Sequence, residues 1–544
     1  MLVLLPFAAA AAAAATACKP THPKPTAIID SGAIVGTTTE VAVPSATVTV
    51  NKYLGIPYAE EPQRFELPVH IAPWTEPLDA SHYGPACYEQ ISKSTEIYYE
   101  GANLGVAPAG HSEDCLNLNV YTPAHASAGS KPVIVWIHGG SWRNGAGSLP
   151  LYDGSSFVAN QDIVLVGINY RTNVFGFVGD TSVPVEERNL ALHDTRLALK
   201  WVVRNIAALG GDPSKITLMG ESAGASTIDT LLTAPPAGPP QFRAAILTSS
   251  QISIPSAIDD PSAYPSAWAA LAQAAGCPPN TTNTLPCLKN LPAQTLVSLA
   301  NNASLSYPGF KDNGVTFSNT PRLDRLARKT LEVPVLIGTT YDEASVSIQS
   351  LPENTTTEAA LAAAGIPAEY TDLIINSYPL GEPGLLTESA RINRIATEFL
   401  MQCPAQVWAN DTRGIGMPTW RFLYNASFPN TEFFEGAGAY HASELGVVFG
   451  NFRRENATAF QRELSKVVQT AFGDFAREPS RGPGWGAFPA VGIFGDGVVP
   501  GEDGAGREAL RVVDTGVIDG RCALYYDLYD AVSLGGGGAE EEEE

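Results

Sequence analysis

The chain has 544 residues, of which 44% are hydrophobic, 9% aromatic and 16% charged, as in globular proteins that bury a large core. Its formal net charge is -23 at pH 7, and no run rich in lysine or arginine interrupts the acidity. Because such a surface repels phosphate backbones, the composition excludes nucleic acid as a partner.

Residues 1–17 have the pattern of a secretory signal peptide. The uncharged segment MLVLLPFAAAAAAAATA ends in the small-x-small sequence Ala15-Thr16-Ala17, which is typical of a cleavage site. A retained signal anchor is the alternative. No later segment reaches about 18 uninterrupted apolar residues, so we predict a secreted, extracellular protein with no integral membrane span in the mature chain.

Sequons and cysteines indicate the same oxidising compartment. Six Asn-x-Ser/Thr sequons are predicted glycosylation sites: Asn280, Asn302, Asn354, Asn410, Asn425 and Asn456. Of the seven cysteines, Cys18 falls at the predicted cleavage point. The other six are expected to form disulfide bonds, in pairings that spacing alone does not decide: Cys87, Cys115, Cys277, Cys287, Cys403 and Cys522.

Along the chain, an N-terminal hairpin over 27–58 is followed by short apolar runs that alternate with helical patterns. The runs are VIVWIHGG, IVLVGINY, ITLMGESAG, AAILTSS and VPVLIGTT, and continuous runs of this length are typical of buried parallel strands. The clearest helical pattern is LALHDTRLALKWVVRNIAALGG, and residues 255–330 and 351–395 resemble helical insertions. This alternation predicts a parallel sheet covered by helices on both faces.

Length alone favours several domains, but large α/β enzymes often add loops and helices around one sheet. We therefore predict a single domain over 27–534. The final residues 535–544, GGGGAEEEEE, are expected to be a disordered acidic tail.

The sequence Gly220-Glu221-Ser222-Ala223-Gly224 is a G-x-S-x-G motif between a predicted strand and a predicted helix. In this setting a serine is held on a sharp elbow with its hydroxyl exposed, and flanking glycines avoid collisions with nearby backbone. The motif predicts Ser222 as a nucleophile. An ordinary Gly-Ser turn is the alternative.

A nucleophilic serine needs a histidine base, and in the elbow topology the acid and then the histidine follow the serine. Of eight histidines, one alone lies downstream of Ser222, which predicts His441 as the base. Asp342 and Glu343 both follow the run VPVLIGTT, at the edge where such sheets place their sites. The residues themselves leave the choice between these two carboxylates open.

An oxyanion requires backbone N–H donors as well. The run VIVWI ends in a glycine-rich turn, so Gly139 and Gly140 are predicted donors, together with Ala223 after the nucleophile. No His, Cys and Asp cluster has metal-ligand spacing, and the predicted chemistry requires neither a metal nor an organic cofactor.

Taken together, these segments resemble the type-B carboxylesterase family, which includes cholinesterases, liver carboxylesterases and secreted fungal lipases. The matching segments include YLGIPYAEEPQRF, SEDCLNLNVYTP, VIVWIHGGSW, VGINYRTNVFGF, GGDPSKITLMGESAGA, PVLIGTTYDE and YHASELGVVFG. The resemblance implies an α/β-hydrolase fold, with a large, mostly parallel central sheet, helices on both faces and helical insertions around an active-site gorge. It also implies a small-molecule or lipid ester as substrate and an acyl-enzyme intermediate.

The same resemblance implies roles for individual residues. It selects Glu343 as the triad acid, and it gives Glu221 and Ser249 supporting positions behind the triad. It implies three disulfide pairs: Cys87–Cys115, Cys277–Cys287 and Cys403–Cys522.

One departure from the cholinesterases concerns the loop between Cys87 and Cys115. The corresponding cholinesterase loop carries a tryptophan that binds choline, whereas this loop contains Tyr88, Tyr98 and Tyr99 but no tryptophan. We therefore expect neutral esters to be preferred. A lipase for long-chain acylglycerols is one alternative, and a non-catalytic adhesion protein, as in relatives that lost the nucleophile, is another.

Overall fold

The computed structural model describes residues 24–44, 46–254, 263–279, 281, 283–303, 305, 312 and 314–534. Four sequence predictions lie outside these residues: the signal peptide over 1–17, the fate of Cys18, the sequon at Asn280 and the acidic tail over 535–544.

The strands of the described residues form one large sheet and one small sheet. In chain order they are β1 (Thr26–Ile29), β2 (Gly32–Val35), β3 (Thr37–Val43), β4 (Ala46–Pro57), β5 (Leu78–Asp79), β6 (Asn117–Pro123), β7 (Lys131–Ile137), β8 (Val164–Ile168), β9 (Gly211–Glu221), β10 (Ala244–Thr248), β11 (Val335–Thr340), β12 (Thr419–Ala426), β13 (Ala490–Val498) and β14 (Leu510–Asp514). Strands β1, β2 and β5 make the small sheet. The predicted hairpin over 27–58 is therefore two hairpins, β1–β2 and β3–β4, in different sheets.

The large sheet has 11 strands in the order β14-β13-β12-β11-β10-β9-β7-β8-β6-β4-β3. Every pairing from β13 through to β8 is parallel, and the pairings at the two ends are antiparallel. The five predicted parallel strands are confirmed as β7, β8, β9, β10 and β11. The fold is the mostly parallel α/β-hydrolase architecture that the resemblance implied.

Helices cover the sheet and project beyond it. In chain order they are α1 (Lys93–Gly101), α2 (Ser155–Gln161), α3 (Asn173–Gly176), α4 (Leu190–Asn205), α5 (Ala223–Thr233), α6 (Ala263–Ala274), α7 (Thr284–Lys289), α8 (Ala293–Asn302), α9 (Pro321–Leu326), α10 (Thr357–Ala363), α11 (Ala368–Ser377), α12 (Glu388–Thr397), α13 (Cys403–Gly414), α14 (Leu445–Phe449), α15 (Ala459–Arg477) and α16 (Tyr526–Ser533). A π-helical turn over Glu398–Gln402 joins α12 to α13. The predicted helical insertions correspond to α6–α9 and α10–α12. No helix within the described ranges is long and apolar enough to span a membrane.

Strand β7 shows why the central strands are apolar throughout. Its side chains alternate between two separate hydrophobic cores, with Val133, Val135 and Ile137 in one and Ile134 and Trp136 in the other. Because helices pack on both faces, neither face can carry polar side chains toward water. The carboxyl ends of the parallel strands then form one edge, at which the sequence places its predicted catalytic residues.

Three disulfide bonds cross-link the described residues, and they are the pairs that the resemblance implied. Cys87 is bonded to Cys115, Cys277 to Cys287, and Cys403 to Cys522. The first closes a loop that contains α1, and the last links α13 to the C-terminal region.

Candidate active site

Ser222 lies on a sharp turn between β9 and α5. Its backbone has φ 53° and ψ -126°, a conformation that a non-glycine residue adopts only when its surroundings hold it there. One such restraint is the hydrogen bond of 2.9 Å that its N–H donates to the carbonyl of Thr248 on the adjacent strand β10. The strand-turn-helix setting predicted from the motif is therefore present in the structure.

The glycines of the motif are required by close packing. A Cβ atom added at Gly224 would lie 2.0 Å from the carbonyl oxygen of Ile137 on β7, and one added at Gly220 would lie 2.6 Å from the carbonyl carbon of Gly224. These contacts are far shorter than any side chain tolerates. The first turn of α5 can therefore approach β7 only without a side chain at Gly224.

His441 and Glu343 are brought together at the carboxyl edge of the sheet, although they are far apart in sequence. The Nδ1 atom of His441 lies 2.6 Å from Oε2 of Glu343, whose side chain is almost completely buried. The other oxygen of Glu343 accepts a hydrogen bond of 2.7 Å from the N–H of Thr340 at the end of β11. The carboxylate is thus fixed in orientation on both sides.

The adjacent carboxylate of Asp342 is directed elsewhere. Its Oδ2 accepts a hydrogen bond of 3.0 Å from the N–H of Ala439, and its Oδ1 accepts one of 3.2 Å from the side chain of Asn393. Asp342 therefore holds the segment that precedes the histidine, while Glu343 contacts the imidazole. The structure therefore distinguishes Glu343 from Asp342, a choice that the sequence alone left open.

The other ring nitrogen of His441 lies beside a second carboxylate. Nε2 of His441 lies 3.0 Å from Oε1 of the buried Glu221, close enough for an ion pair but not aligned for a hydrogen bond. Burial acts to lower the pKa of His441, but the negative charges of Glu221 and Glu343 outweigh it and raise the pKa to about 10. Burial raises the pKa of Glu221 to about 7. The two groups are close enough that the protonation of one depends on that of the other.

Ser222 is next to this pair but is not hydrogen-bonded to it. Among the described residues, its hydroxyl has no hydrogen-bond partner. A Cβ atom added at Gly139 would lie 2.5 Å from Oε2 of Glu221 and 3.0 Å from Cβ of Ser222, so all three residues meet at one point. The glycine at 139 makes room for both acidic and hydroxyl side chains.

The turn after β7, which begins beside Ser222, contains backbone N–H groups without a hydrogen-bond partner. The N–H groups of Gly139, Gly140 and Ser141 have no acceptor among the described residues. Ala223 is the first residue of α5, where helical geometry leaves the N–H without an intrahelical partner. The sequence predicted the two glycines and Ala223 as donors; Ser141, with φ 55°, belongs to the same tight turn.

The neighbouring His138 is a structural residue. Its ring is buried and stacks on Tyr170, with centroids 4.3 Å apart, and its Nδ1 lies 2.8 Å from the carbonyl of Gly139. Burial lowers its pKa to about 4, so the ring is neutral at physiological pH.

Two further buried residues lie near Glu221. Ser249 follows Thr248, which is paired with Glu221 between β10 and β9, and the charge of Glu221 acts on Glu444. Ser249, which the resemblance implied, has φ 55° and donates its N–H to the carbonyl of Gly338 at 2.8 Å. Glu444 was missed by sequence reasoning, although it lies in the segment YHASELG that signalled the histidine. It is 1% exposed, and neither of its carboxylate oxygens has a partner among the described residues. Burial, together with the charges of Glu221 and Glu343, raises its pKa well above the ordinary value, which favours the neutral acid.

The tyrosines of the Cys87–Cys115 loop are already engaged. The hydroxyl of Tyr98, on α1, donates to the carbonyl of His441 at 2.7 Å. The hydroxyl of Tyr99 donates to Oε1 of Glu89 at 2.8 Å. The ring of Tyr88 is stacked on His111, with centroids 6.3 Å apart.

Within the described part of the chain, no group of three or more His, Cys, Asp and Glu side chains has the arrangement of a metal site.

The chain is similar to known proteins over most of its length. The profile of the carboxylesterase family matches residues 23–488. The chain is 30% identical over 469 residues to an acetylcholinesterase of Bungarus fasciatus, in an alignment that covers 81% of this chain and 77% of that protein. It is 32% identical over 471 residues to carboxylesterase 5A of Homo sapiens, covering 80% of this chain and 79% of that protein.

A bacterial relative is equally similar. The chain is 32% identical over 456 residues to the para-nitrobenzyl esterase of Bacillus subtilis (strain 168), in an alignment that covers 79% of this chain and 86% of that protein. The chain therefore belongs to the carboxylesterase family and is a carboxylic ester hydrolase that acts on small-molecule esters.

Proposed function

We propose that the protein is a secreted serine esterase that cleaves carboxylic esters through an acyl-enzyme intermediate, with Ser222, His441 and Glu343 as its catalytic triad. The observation that carries this proposal is the 2.6 Å contact between His441 Nδ1 and Glu343 Oε2, beside a serine on a strained elbow. A carboxylate at Nδ1 fixes the imidazole tautomer and leaves Nε2 to accept a proton.

In the first step, the Ser222 hydroxyl attacks the ester carbonyl carbon while its proton moves to Nε2 of His441. The carbonyl oxygen becomes an oxyanion, for which the N–H groups of Gly139, Gly140 and Ala223 are the proposed donors. Collapse of the tetrahedral intermediate breaks the ester C–O bond, and His441 gives the proton to the leaving alcohol. Water then enters, loses its proton to His441, and releases the acid and Ser222.

Glu221 determines the protonation of the resting site in this scheme. His441 acts as a base only when it is neutral, and its pKa is raised by the two carboxylates. Because the pKa of Glu221 is raised only to about 7, Glu221 is the weaker base of the two, and its charge stabilises the imidazolium that forms when Ser222 gives up its proton. The hydrogen bond from Ser222 to His441 is expected to form with substrate, since hydrogen bonds between catalytic groups often tighten only when substrate is bound.

The proposal is tested by Ser222→Ala and covalent labelling. A fluorophosphonate should label the wild-type protein once, at Ser222, and the variant should neither be labelled nor hydrolyse p-nitrophenyl esters. Ser226→Ala is the matched control, because Ser226 lies on the same helix α5 and hydrogen-bonds Ser250 at 2.7 Å. Labelling at another serine in the Ser222 variant would refute the assignment.

The lipase alternative is favoured by one observation. The Cys87–Cys115 loop exposes Ile97 by 52% and Val106 by 76%, and its helix α1 contacts the carbonyl of His441. Apolar side chains on such a loop could rest on an oil surface. Chain-length profiling decides between the two: a lipase should act on emulsified long-chain triacylglycerols far faster than on soluble short-chain esters.

Secretion, glycosylation and the single domain over 27–534 are part of the proposal. The three disulfide bonds support an oxidising compartment. Among the described sequon residues, Asn425 on β12 is partly buried. The others are exposed: Asn302, Asn354, Asn410 and Asn456. N-terminal sequencing of protein from the medium should begin at residue 18, and glycosidase treatment should reduce its mass.

A further inference from the structure

Glu89 lies where the Cys87–Cys115 loop meets the turn after β7. It is 7% exposed and binds three partners. Its Oε1 accepts hydrogen bonds from the N–H of Gly145 at 2.6 Å and from the hydroxyl of Tyr99 at 2.8 Å. Its Oε2 lies 2.7 Å from Nε2 of His111, on the same loop. His111 and Tyr99 of its own loop therefore fix the carboxylate, and one of its oxygens also binds the turn.

Gly145 is in direct contact with the start of that turn. With φ at 101°, it occupies a conformation suited to glycine, and an added Cβ would lie 2.4 Å from Nδ1 of His138 and 2.7 Å from the carbonyl oxygen of Gly139. A displacement of Gly145 therefore moves the segment that carries the proposed oxyanion donors.

The remainder of the turn is tied to the same point. The carbonyl of Gly140 accepts from the N–H groups of Arg143 at 2.9 Å and Asn144 at 3.1 Å. The hydroxyl of Tyr99 lies 3.2 Å from Oδ1 of Asn144, so it contacts both Glu89 and the turn. The N–H of Gln90 donates to the carbonyl of Arg143 at 2.8 Å. Residues 139–145 thus form one unit. The disulfide loop holds its end through Glu89, Tyr99 and Gln90, while Asn173 and Thr227 hold its middle at Trp142.

We propose that Glu89 is a positioning residue for ester hydrolysis, which holds the donors of Gly139 and Gly140 at the oxyanion by accepting the N–H of Gly145. This inference rests on the proposed function. Glu89 touches neither the substrate nor the reacting atoms, and His111 acts on the other oxygen to orient its carboxylate. The role depends on the oxygen that accepts the N–H of Gly145 and not on its charge. A neutral side chain of the same shape with an acceptor oxygen should therefore hold the turn as well.

The test compares Glu89→Leu, which removes the acceptor, with Glu89→Gln, which keeps it. On a p-nitrophenyl ester, Glu89→Leu should lower kcat by about tenfold or more with KM within about twofold, because misplaced donors weaken the transition state more than the ground state. Glu89→Gln should regain most of the loss. An alkyl trifluoromethyl ketone forms an oxyanion on the serine, so its Ki should rise in Glu89→Leu by the same factor by which kcat/KM falls.

Glu113→Leu is the matched control. Glu113 lies in the same disulfide loop and pairs with Arg64 at 2.5 and 2.9 Å, but it makes no contact with residues 139–145 among the described residues. It should retain the kcat of the wild type. If Glu89→Leu does not fold, Tyr99→Phe removes one of the same hydrogen bonds and should lower kcat by about threefold with KM unchanged.

Three results would overturn the inference: a kcat within twofold in Glu89→Leu, an equal loss in Glu113→Leu, or no recovery in Glu89→Gln. The proposed function is tested separately by stoichiometric fluorophosphonate labelling of the wild-type protein at Ser222. Labelled wild type with an unaffected Glu89→Leu variant rejects the role of Glu89 alone.

Discussion

The hydroxyl of Tyr98 donates a hydrogen bond of 2.7 Å to the main-chain carbonyl of His441, and so joins a helix of the disulfide loop to the segment that carries the imidazole. Burial, together with the charge of the nearby Glu221, raises the pKa of Tyr98 well above the ordinary value. The hydroxyl therefore stays protonated and remains a donor throughout the physiological range.

Tyr98→Phe should lower kcat by about threefold to tenfold, because one net hydrogen bond contributes about 0.5–1.5 kcal/mol to the position of His441. Steady-state kinetics on a p-nitrophenyl ester measure the effect. Tyr88→Phe is the control, since the ring of Tyr88 stacks on His111 in the same loop. Wild-type kcat in Tyr98→Phe would show that α1 does not support the histidine.

Glu343→Gln should reduce kcat by roughly 10³–10⁴-fold, because the amide favours the wrong imidazole tautomer. Asp342→Asn should remain within about tenfold of the wild type, since Asp342 binds the N–H of Ala439 and the side chain of Asn393 rather than the imidazole. Parallel kinetics of the two variants give the comparison. The reverse ranking would exchange the roles of the two carboxylates.

Glu221→Gln should move the acidic limb of the pH profile of kcat/KM downward. A negative charge beside an imidazolium raises its pKa, so removing the charge of Glu221 lowers the pKa of His441 and produces the neutral base at lower pH. We expect a displacement of about 1–3 pH units. Ser226→Ala, on the neighbouring helix α5, should leave the limb where it is. An unmoved limb in Glu221→Gln would indicate that His441 titrates independently of Glu221.

The enzyme should hydrolyse the 3,3-dimethylbutyl ester at least as fast as the choline ester of the same acid, measured as kcat/KM at moderate salt. Salt screens the acidic surface beyond about 8 Å, so selectivity for a cation needs a close aromatic contact. The Cys87–Cys115 loop has no tryptophan, and the hydroxyls of Tyr98 and Tyr99 bind His441 and Glu89. A tenfold choline preference that persists in added salt would contradict this prediction and point to Tyr98, Tyr99 or Glu221.

Strands that lie buried on both faces were predictable from the sequence, whereas strands with buried polar residues were not. Strand β12 lies between β11 and β13 and leads to His441, yet Arg421 interrupts its apolar run. The structure buries that guanidinium completely and pairs it with Asp519, far along the chain. In β6, the buried Asn117 and Asn119 have the same effect. A charged or amide side chain that is paired only in the folded state interrupts the apolar pattern, so the sequence pattern does not predict the strand.

The site shows the same division between what is local and what is not. The motif around Ser222 and the position of His441 as the only histidine downstream of it needed no fold. The contact of His441 with Glu221 and the burial of Glu444 each depend on how distant segments meet. Adjacent carboxylates such as Asp342 and Glu343 differ only in direction, which backbone geometry at the end of β11 decides.

The proposed catalytic groups come from the ends of three parallel strands and from the loop after the fourth: Gly139 follows β7, Ser222 follows β9, Glu343 follows β11 and His441 follows β12. No contiguous fragment of the chain that omits any of these strands can assemble the site. During refolding, enzymatic activity should consequently return only after all strands of the central sheet have paired. The circular dichroism signal of the helices should recover earlier. Turnover is therefore a stringent reporter of complete folding for this enzyme, and proteolytic fragments that still look structured should be inert.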